Sequence, residues 1–217
     1  MIPRDAKPVA SQYWSSSDEA LKEVANEIRN VVGASAPAPK SSAGPPNAAQ
    51  DKTGFDLVRQ QVRSYARLYD GTRLRMRPSK ERTDRMEEIA SHLRGLAVAS
   101  YPLLDEFLQS PFPGERLGAV TILQVFAAEK YFGFLASLVG SEKPFIGYHA
   151  IRALRFAVDS LEPDSYALLR GALNTAQEHL EHASVGFNTD RQTLLTEAIA
   201  QLEKNAAAIP AALEKHD

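Results

Sequence analysis

Two stretches with a common pattern decide the fold: PGERLGAVTIL at residues 113–123 and PFIGYHAIRAL at residues 144–154. In alignment they pair Pro113 with Pro144, Ala119 with Ala150, Val120 with Ile151 and Leu123 with Leu154. Proline is well tolerated at the first helical position, where its missing N–H has no intrahelical partner. Small alanine lets two helices approach closely, and branched side chains fill a core. The pattern therefore predicts the same helix twice.

The segments that follow these helices also correspond. The matching residues are Tyr131, Phe134 and Leu138 in the first segment and Tyr166, Leu169 and Leu173 in the second. Each unit is thus predicted to be a helix, a turn and a second helix. Such a unit cannot cover its own apolar face and must stack on neighbours.

This double pattern over residues 111–175 resembles the HEAT and armadillo class of helical repeats, including the short HEAT-like units of phycobilisome-lyase type. The resemblance extends to residues 55–110 in helix length, although the Pro–Ala–aliphatic pattern is missing there. It implies an all-α fold, a short right-handed α-α superhelix. It also implies a protein-interaction scaffold more often than an enzyme.

Helical periodicity continues on both sides of the repeat. One apolar stripe runs from Phe55 to Tyr69 and is expected to end at Asp70-Gly71. Ser79 is the expected N-cap of the next helix, whose buried stripe includes Met86 and Leu93. A short helix is expected after Pro102, around Leu103, Leu104, Phe107 and Leu108. A last amphipathic helix at residues 189–205 would cap the stack. No stretch shows the alternation typical of strands.

The N-terminal part has a different character. Residues 16–32 form an amphipathic pattern that begins with the capping box Ser16 and Glu19. Residues 33–52 are rich in Pro, Ala and Ser and predict a flexible linker. The expected organisation is a segment at 1–32 with a tethered helix at 16–32, a linker at 33–52, a helical domain at 53–205 and a tail at 206–217.

Composition limits the function classes. The formal net charge is -2 and the sequence pI is about 6.2, which does not favour a dedicated binder of nucleic acid or membrane surfaces. No cysteine is present, so disulfides and thiolate chemistry are excluded. The sequence shows neither a signal peptide nor an apolar run of about 18 residues. We therefore expect a cytoplasmic protein that does not span a membrane.

A basic cluster is the first candidate site. It comprises Arg73, Arg75, Arg77, Lys80, Arg82 and Arg85, opposed only by Glu81 and Asp84. It precedes and enters a helix N-terminus, where free N–H groups and the helix dipole favour anions. It could hold a phosphate, a nucleic-acid backbone or an acidic protein surface. A solvated helix face is the competing interpretation.

Histidines and aromatics supply the other candidates. His149 takes the place of Gly118 in the first repeat and could contact a ligand on the inner surface, or simply bond a neighbouring loop. Phe112 and Phe145 at loop tips could be exposed partner anchors, although aromatics are mostly core. His179 and His182 lie three residues apart beside carboxylates, but more ligands would be needed for a metal site.

No motif of nucleophilic, dinucleotide or phosphate-loop chemistry occurs in the chain. The sequence therefore favours a non-enzymatic interaction module with a protein partner, without a cofactor, a metal or a catalytic residue. The alternative is a binder of nucleic acid or a phosphorylated ligand through the basic cluster. An active site assembled only in three dimensions, the identity of the partner and the oligomeric state stay open.

Overall fold

The computed structural model describes residues 48–182 and 189–213, with side chains at 54–182 and 189–208. Over these residues the chain is all-α and contains no strand, as the sequence predicts. The expected amphipathic helix at 16–32, most of the expected linker and the last residues of the tail lie outside the described ranges.

Nine α-helices follow one another in the described residues, with short 3-10 turns between some of them. They are α1 (Ala48–Arg75), α2 (Lys80–Gly95), α3 (Ala97–Ser100), α4 (Leu104–Leu108), α5 (Pro113–Leu123), α6 (Phe132–Ser141), α7 (Pro144–Ser160), α8 (Tyr166–His182) and α9 (Thr189–Leu213). Both proline-led stretches of the sequence pattern therefore form helices, α5 and α7, and each helix has the proline as its first residue.

Helix α1 is longer than predicted at both ends. It begins at Ala48, so residues 48–52 of the expected linker are helical. These residues contain no proline and include good helix formers. The expected stop at Asp70-Gly71 is wrong, because the helix continues to Arg75. Gly71 accepts a helical backbone, and the carboxylate of Asp70 bonds to another helix instead of ending its own.

Local signals in α2 are confirmed. The hydroxyl of Ser79 accepts a hydrogen bond from the backbone N–H of Arg82 at 3.2 Å, the geometry of an N-cap. The expected stripe is buried, through Met86, Ile89, Ala90 and Leu93. At the other end of the chain, α9 extends to Leu213, beyond the predicted end at residue 205.

Two glycines let α5 lie directly on α1. A Cβ atom at Gly114 would stand 2.2 Å from the carbonyl oxygen of Ala66, and one at Gly118 would stand 3.2 Å from Cγ1 of Val62. The N–H of Gly114 also donates to Oδ1 of Asp70 at 3.0 Å. Because Gly114 and Gly118 are four residues apart, both face α1. This contact, which we name the glycine seam, brings backbone against backbone at Gly114 and backbone against the side chain of Val62 at Gly118.

The pairing of helices differs from the predicted hairpins. Helix α5 packs on α1, α2, α4 and α7 but makes little contact with α6, its expected partner. Helix α6 packs on α7 and α8, and α9 packs on both α7 and α8. The reason is that α1, and not α6, packs on the face of α5 that carries Gly114 and Gly118. The two predicted hairpins still touch, through α5 with α7 and α6 with α8.

None of the helices described is both long enough and apolar enough to cross a lipid bilayer.

Candidate functional site

His149 is placed on α7 at the junction with α2 and with the end of α5. Its side chain has no exposed surface. Its Nε2 atom lies 3.1 Å from Oε2 of Glu87 on α2, and its Nδ1 atom lies 3.0 Å from Nε2 of Gln124. Arg94 and Arg152 complete this group, which we name the His149 cluster. The histidine therefore bonds to protein side chains and offers no surface to a ligand.

The amide of Gln124 determines the protonation of the imidazole. Its Nε2 group donates to the carbonyl oxygen of His149 at 2.8 Å, and its Oε1 atom accepts from Nε of Arg94 at 2.9 Å. The amide nitrogen must therefore face the ring, and Nδ1 of His149 must accept. The proton then sits on Nε2 and is donated to Glu87.

Electrostatics in the His149 cluster favours a neutral histidine and an ionised glutamate. Burial lowers the pKa of His149 below 6.5, although Glu87 acts in the opposite direction. The hydrogen bond from His149 lowers the pKa of Glu87 from 4.5 to about 2, and Arg152 acts in the same sense. Arg152 donates to Oε1 of Glu87 at 2.8 Å. The cluster thus ties α7 to α2 across the end of α5.

Acid is expected to destabilise the fold through this cluster. Since the folded chain holds His149 neutral, it binds fewer protons than the unfolded chain once the pH falls below 6.5. Glu87 adds a second loss, as its stabilisation is present above pH 4.5 and disappears towards its folded pKa of about 2. The free energy of unfolding should therefore fall between about pH 7.5 and about pH 5.5.

Urea denaturation at the two pH values measures this loss, with His149→Gln as the comparison. Glutamine cannot titrate, so the variant should lose less stability over the same interval. Equal losses in the two proteins would mean that His149 does not carry the effect.

The basic cluster lies around the end of α1 and the start of α2. Arg75, Arg77, Lys80 and Arg85 are exposed, whereas Arg73 and Arg82 are half-buried. Lys80 pairs with Asp84 at 2.6 Å, and Arg82 donates weakly to the carbonyl oxygen of Met76 at 3.4 Å. In the part of the chain that the structure describes, no ion pair engages Arg75, Arg77 or Arg85.

The paired histidines of α8 have local roles. His182 lies with Nδ1 2.6 Å from the carbonyl oxygen of Glu178 one turn earlier. His179 packs against α6 at Gly140, where a Cβ atom would stand 3.0 Å from the histidine Cβ. Among residues 54–182 and 189–208, no group of three or more potential ligands is arranged for a metal ion.

Phe112 stands on a rigid turn before α5. Its side chain is 58% exposed. Its backbone N–H donates to Oγ of Ser110 at 3.1 Å, and its carbonyl oxygen accepts from the N–H of Glu115 at 3.1 Å. Pro111 and Pro113 flank it. The aromatic ring is therefore presented to solvent on a backbone that is held in place.

A hollow of about 500 Å³ opens beside Phe112, between this turn and α1. Arg63 and Arg67 of α1 line it, together with Glu106 and Glu115. Phe145 at the other loop tip is different. It is half-buried and packs against Tyr69 and His149, with ring centroids 5.7 Å and 4.6 Å apart. Of the two interpretations given for these aromatics, the exposed one therefore holds for Phe112, and packing against the core, which was favoured, holds for Phe145.

Comparison with protein-family models, curated proteins and solved structures finds no match to this chain.

The residues that surround the predicted ones were not evident from the sequence. Glu87 and Gln124 hold His149, and Arg67 faces the hollow beside Phe112. For Arg67 a signal existed, because Arg59, Arg63 and Arg67 recur at four-residue steps and therefore share one face of α1. No pattern in the sequence connects Gln124 with His149.

Proposed function

We propose that this chain is a non-enzymatic protein-interaction module built as a short stack of helical hairpins of HEAT type. The exposure of Phe112 on its rigid turn carries the proposal. A large aromatic side chain held in solvent by a fixed backbone is the kind of residue that dominates protein–protein binding energy. It loses little conformational freedom when a partner covers it.

The order of helix contacts supports the stacked architecture. Helices α6 and α7 pack together, as do α8 and α9, and α6 contacts α8 while α7 contacts α9. Contacts between neighbours and between alternate helices are typical of repeat stacks, in which each hairpin covers the apolar face of the next. The hairpins are offset by one helix from those expected from sequence. The right-handed superhelix stays a prediction.

The charged residues inside the domain also fit a scaffold. Glu87, His149 and Arg152 join α2 to α7, and Asp70 caps α5. The guanidinium of Arg116 donates a hydrogen bond to the carboxylate of Glu142, which joins the end of α6 to α5. These groups hold helices together, which supports a function in recognition rather than in chemistry.

Site-specific photo-crosslinking tests the proposal. A benzophenone amino acid placed at position 112 in the full chain should form a discrete adduct with a partner in cells. The same group at Leu168, which is 52% exposed on α8, serves as the matched control. Identical adducts from both positions, or chaperone adducts alone, would reject a specific interface at Phe112.

The second candidate is a binder of nucleic acid or a phosphorylated ligand through the basic cluster. The observation that favours it is the exposure of Arg75, Arg77 and Arg85 without carboxylate partners in the described chain. Binding to phosphates would weaken steeply with salt. Arg75→Glu with Arg85→Glu should then abolish binding of a labelled oligonucleotide, measured by anisotropy, and leave crosslinking at position 112 unchanged. A salt-insensitive signal that survives both substitutions argues against this candidate.

A further inference from the structure

Two hollows lie along α1 on the side that faces residues 101–112. One is the hollow beside Phe112, and the other, of about 370 Å³, is lined by Phe55, Asp56, Arg59, Pro102 and Leu103. Phe55 is 42% exposed. Along a helix, the twelve residue steps from Phe55 to Arg67 span about 18 Å. We name this surface, from Phe55 to Phe112, the α1 groove.

The arginines of the α1 groove are not equally neutralised. Arg59 pairs with Asp56 at 2.5 Å and with Oε2 of Glu106 at 3.1 Å, and Arg63 contacts Oε1 of Glu106 at 3.0 Å. Arg63 also lies 3.3 Å from Glu115. Arg59 and Arg63 are therefore neutralised by carboxylates in the middle of the α1 groove.

Arg67 is the unmatched charge. Its guanidinium has only a weak contact with Oγ of Ser64 at 3.5 Å, and no carboxylate pairs with it in residues 54–182 or 189–208. It shares the larger hollow with Phe112. An unpaired guanidinium beside an exposed aromatic ring complements a segment that carries a carboxylate close to an apolar side chain.

The side chain of Phe112 takes no part in capping α5. Phe112 occupies the N-cap of α5 and makes no cap hydrogen bond with its side chain. Serine, threonine, aspartate and asparagine are the residues that stabilise this position. In the first turn of α5, the backbone N–H of Gly114 instead donates to the carboxylate of Asp70. Position 112 is therefore free to be used for contact.

We propose that the α1 groove binds a partner peptide in which an acidic residue, paired with Arg67, lies near an apolar residue that packs on Phe112. This inference rests on the proposed interaction function and specifies the partner's chemistry. The second hollow at Phe55 takes a further apolar residue of the same segment. Because Arg59 and Arg63 are already paired with carboxylates, the preference for an acidic residue depends on Arg67.

Selection from a random peptide library displayed on phage tests the inference, with the full chain immobilised. The selected peptides should be enriched in Asp or Glu near an aromatic or large aliphatic residue. A synthetic peptide of the consensus, measured by fluorescence anisotropy, should bind at least about tenfold more weakly to Phe112→Ser and to Arg67→Glu. Serine suits an N-cap, so loss of binding by Phe112→Ser does not reflect unfolding.

Two matched variants serve as controls. Lys204→Glu makes a charge reversal at an exposed lysine of α9 that has no ion pair in the described residues, and Leu168→Ser removes an exposed apolar side chain from α8. Both should bind the consensus peptide as the unmodified chain does. Circular dichroism of all four variants confirms that each is folded.

The outcomes separate the two levels of the proposal. Peptides that bind equally to Phe112→Ser and Arg67→Glu would overturn the α1 groove but leave an interaction module elsewhere on the chain. A selection without enrichment would count against both. Dissociation of a dimer by either groove variant in sedimentation would show that a second copy occupies the groove, which also overturns the acidic peptide.

Discussion

Gly114→Ala is expected to lower the free energy of unfolding by at least about 3 kcal/mol, the upper range for overpacking in a dense core. The added Cβ would stand 2.2 Å from the carbonyl oxygen of Ala66, so backbone rather than a flexible side chain would have to move. Separating α5 from α1 would also lengthen the hydrogen bond between Gly114 and Asp70. Urea denaturation followed by circular dichroism gives the change.

Gly171→Ala is the matched control for this substitution. Gly171 lies on α8 and is exposed, and a Cβ atom added there would meet no other part of the chain within 4 Å. Alanine should therefore raise stability there by about 0.5 to 1 kcal/mol, since glycine is a poor helix former. If both substitutions stabilise the chain, α5 does not lie on α1 as described.

Glu87→Ala is expected to lower the free energy of unfolding by about 2 to 3 kcal/mol. The substitution leaves the buried Nε2–H of His149 without an acceptor. The ring cannot move its proton to Nδ1, because the amide nitrogen of Gln124 faces that atom. Arg152 loses its counter-ion as well. Thermal and urea unfolding both measure this loss.

Glu88→Ala provides the comparison, since Glu88 is an exposed neighbour on the same helix. Its effect should stay within about 0.5 kcal/mol. Adding His149→Leu to Glu87→Ala should recover part of the stability, because the unsatisfied donor is then removed. Strictly additive losses would indicate that the two side chains do not act together.

Features that depend on neighbours in the chain could be predicted. Ser79 begins α2, and Pro113 and Pro144 begin α5 and α7. The buried stripe of α2 follows from a period of 3.6 residues. Each of these signals is contained within a few residues, so it does not depend on how the helices pack.

Features that depend on distant contacts could not be predicted. The continuation of α1 through Gly71 reflects the use of Asp70 by α5, forty-four residues further on. The pairing of α5 with α1 reflects one glycine seam, and no rule about loop length anticipates it. The offset of the hairpins follows from the same seam.

The candidate sites divide in the same way. The basic cluster could be anticipated from charge, whereas the exposure of Phe112 could not, because aromatic side chains are mostly core and Phe145 at the other tip has a similar local sequence. The burial of His149 could not, because it depends on Glu87 and Gln124 arriving from other parts of the chain. A histidine on an apolar helix face has the same local pattern whether it meets solvent or a carboxylate.

The contact between Asp70 and Gly114 has a consequence for biosynthesis. Helix α5 is short and has no side-chain cap of its own, so in isolation it would be marginal in water. The ribosome delivers α1 before α5, because chains are made from the N-terminus. The surface of α1 and the carboxylate of Asp70, on which α5 depends, have therefore already been synthesised when α5 leaves the ribosome. The order of synthesis thus suits the order in which these two helices can pack.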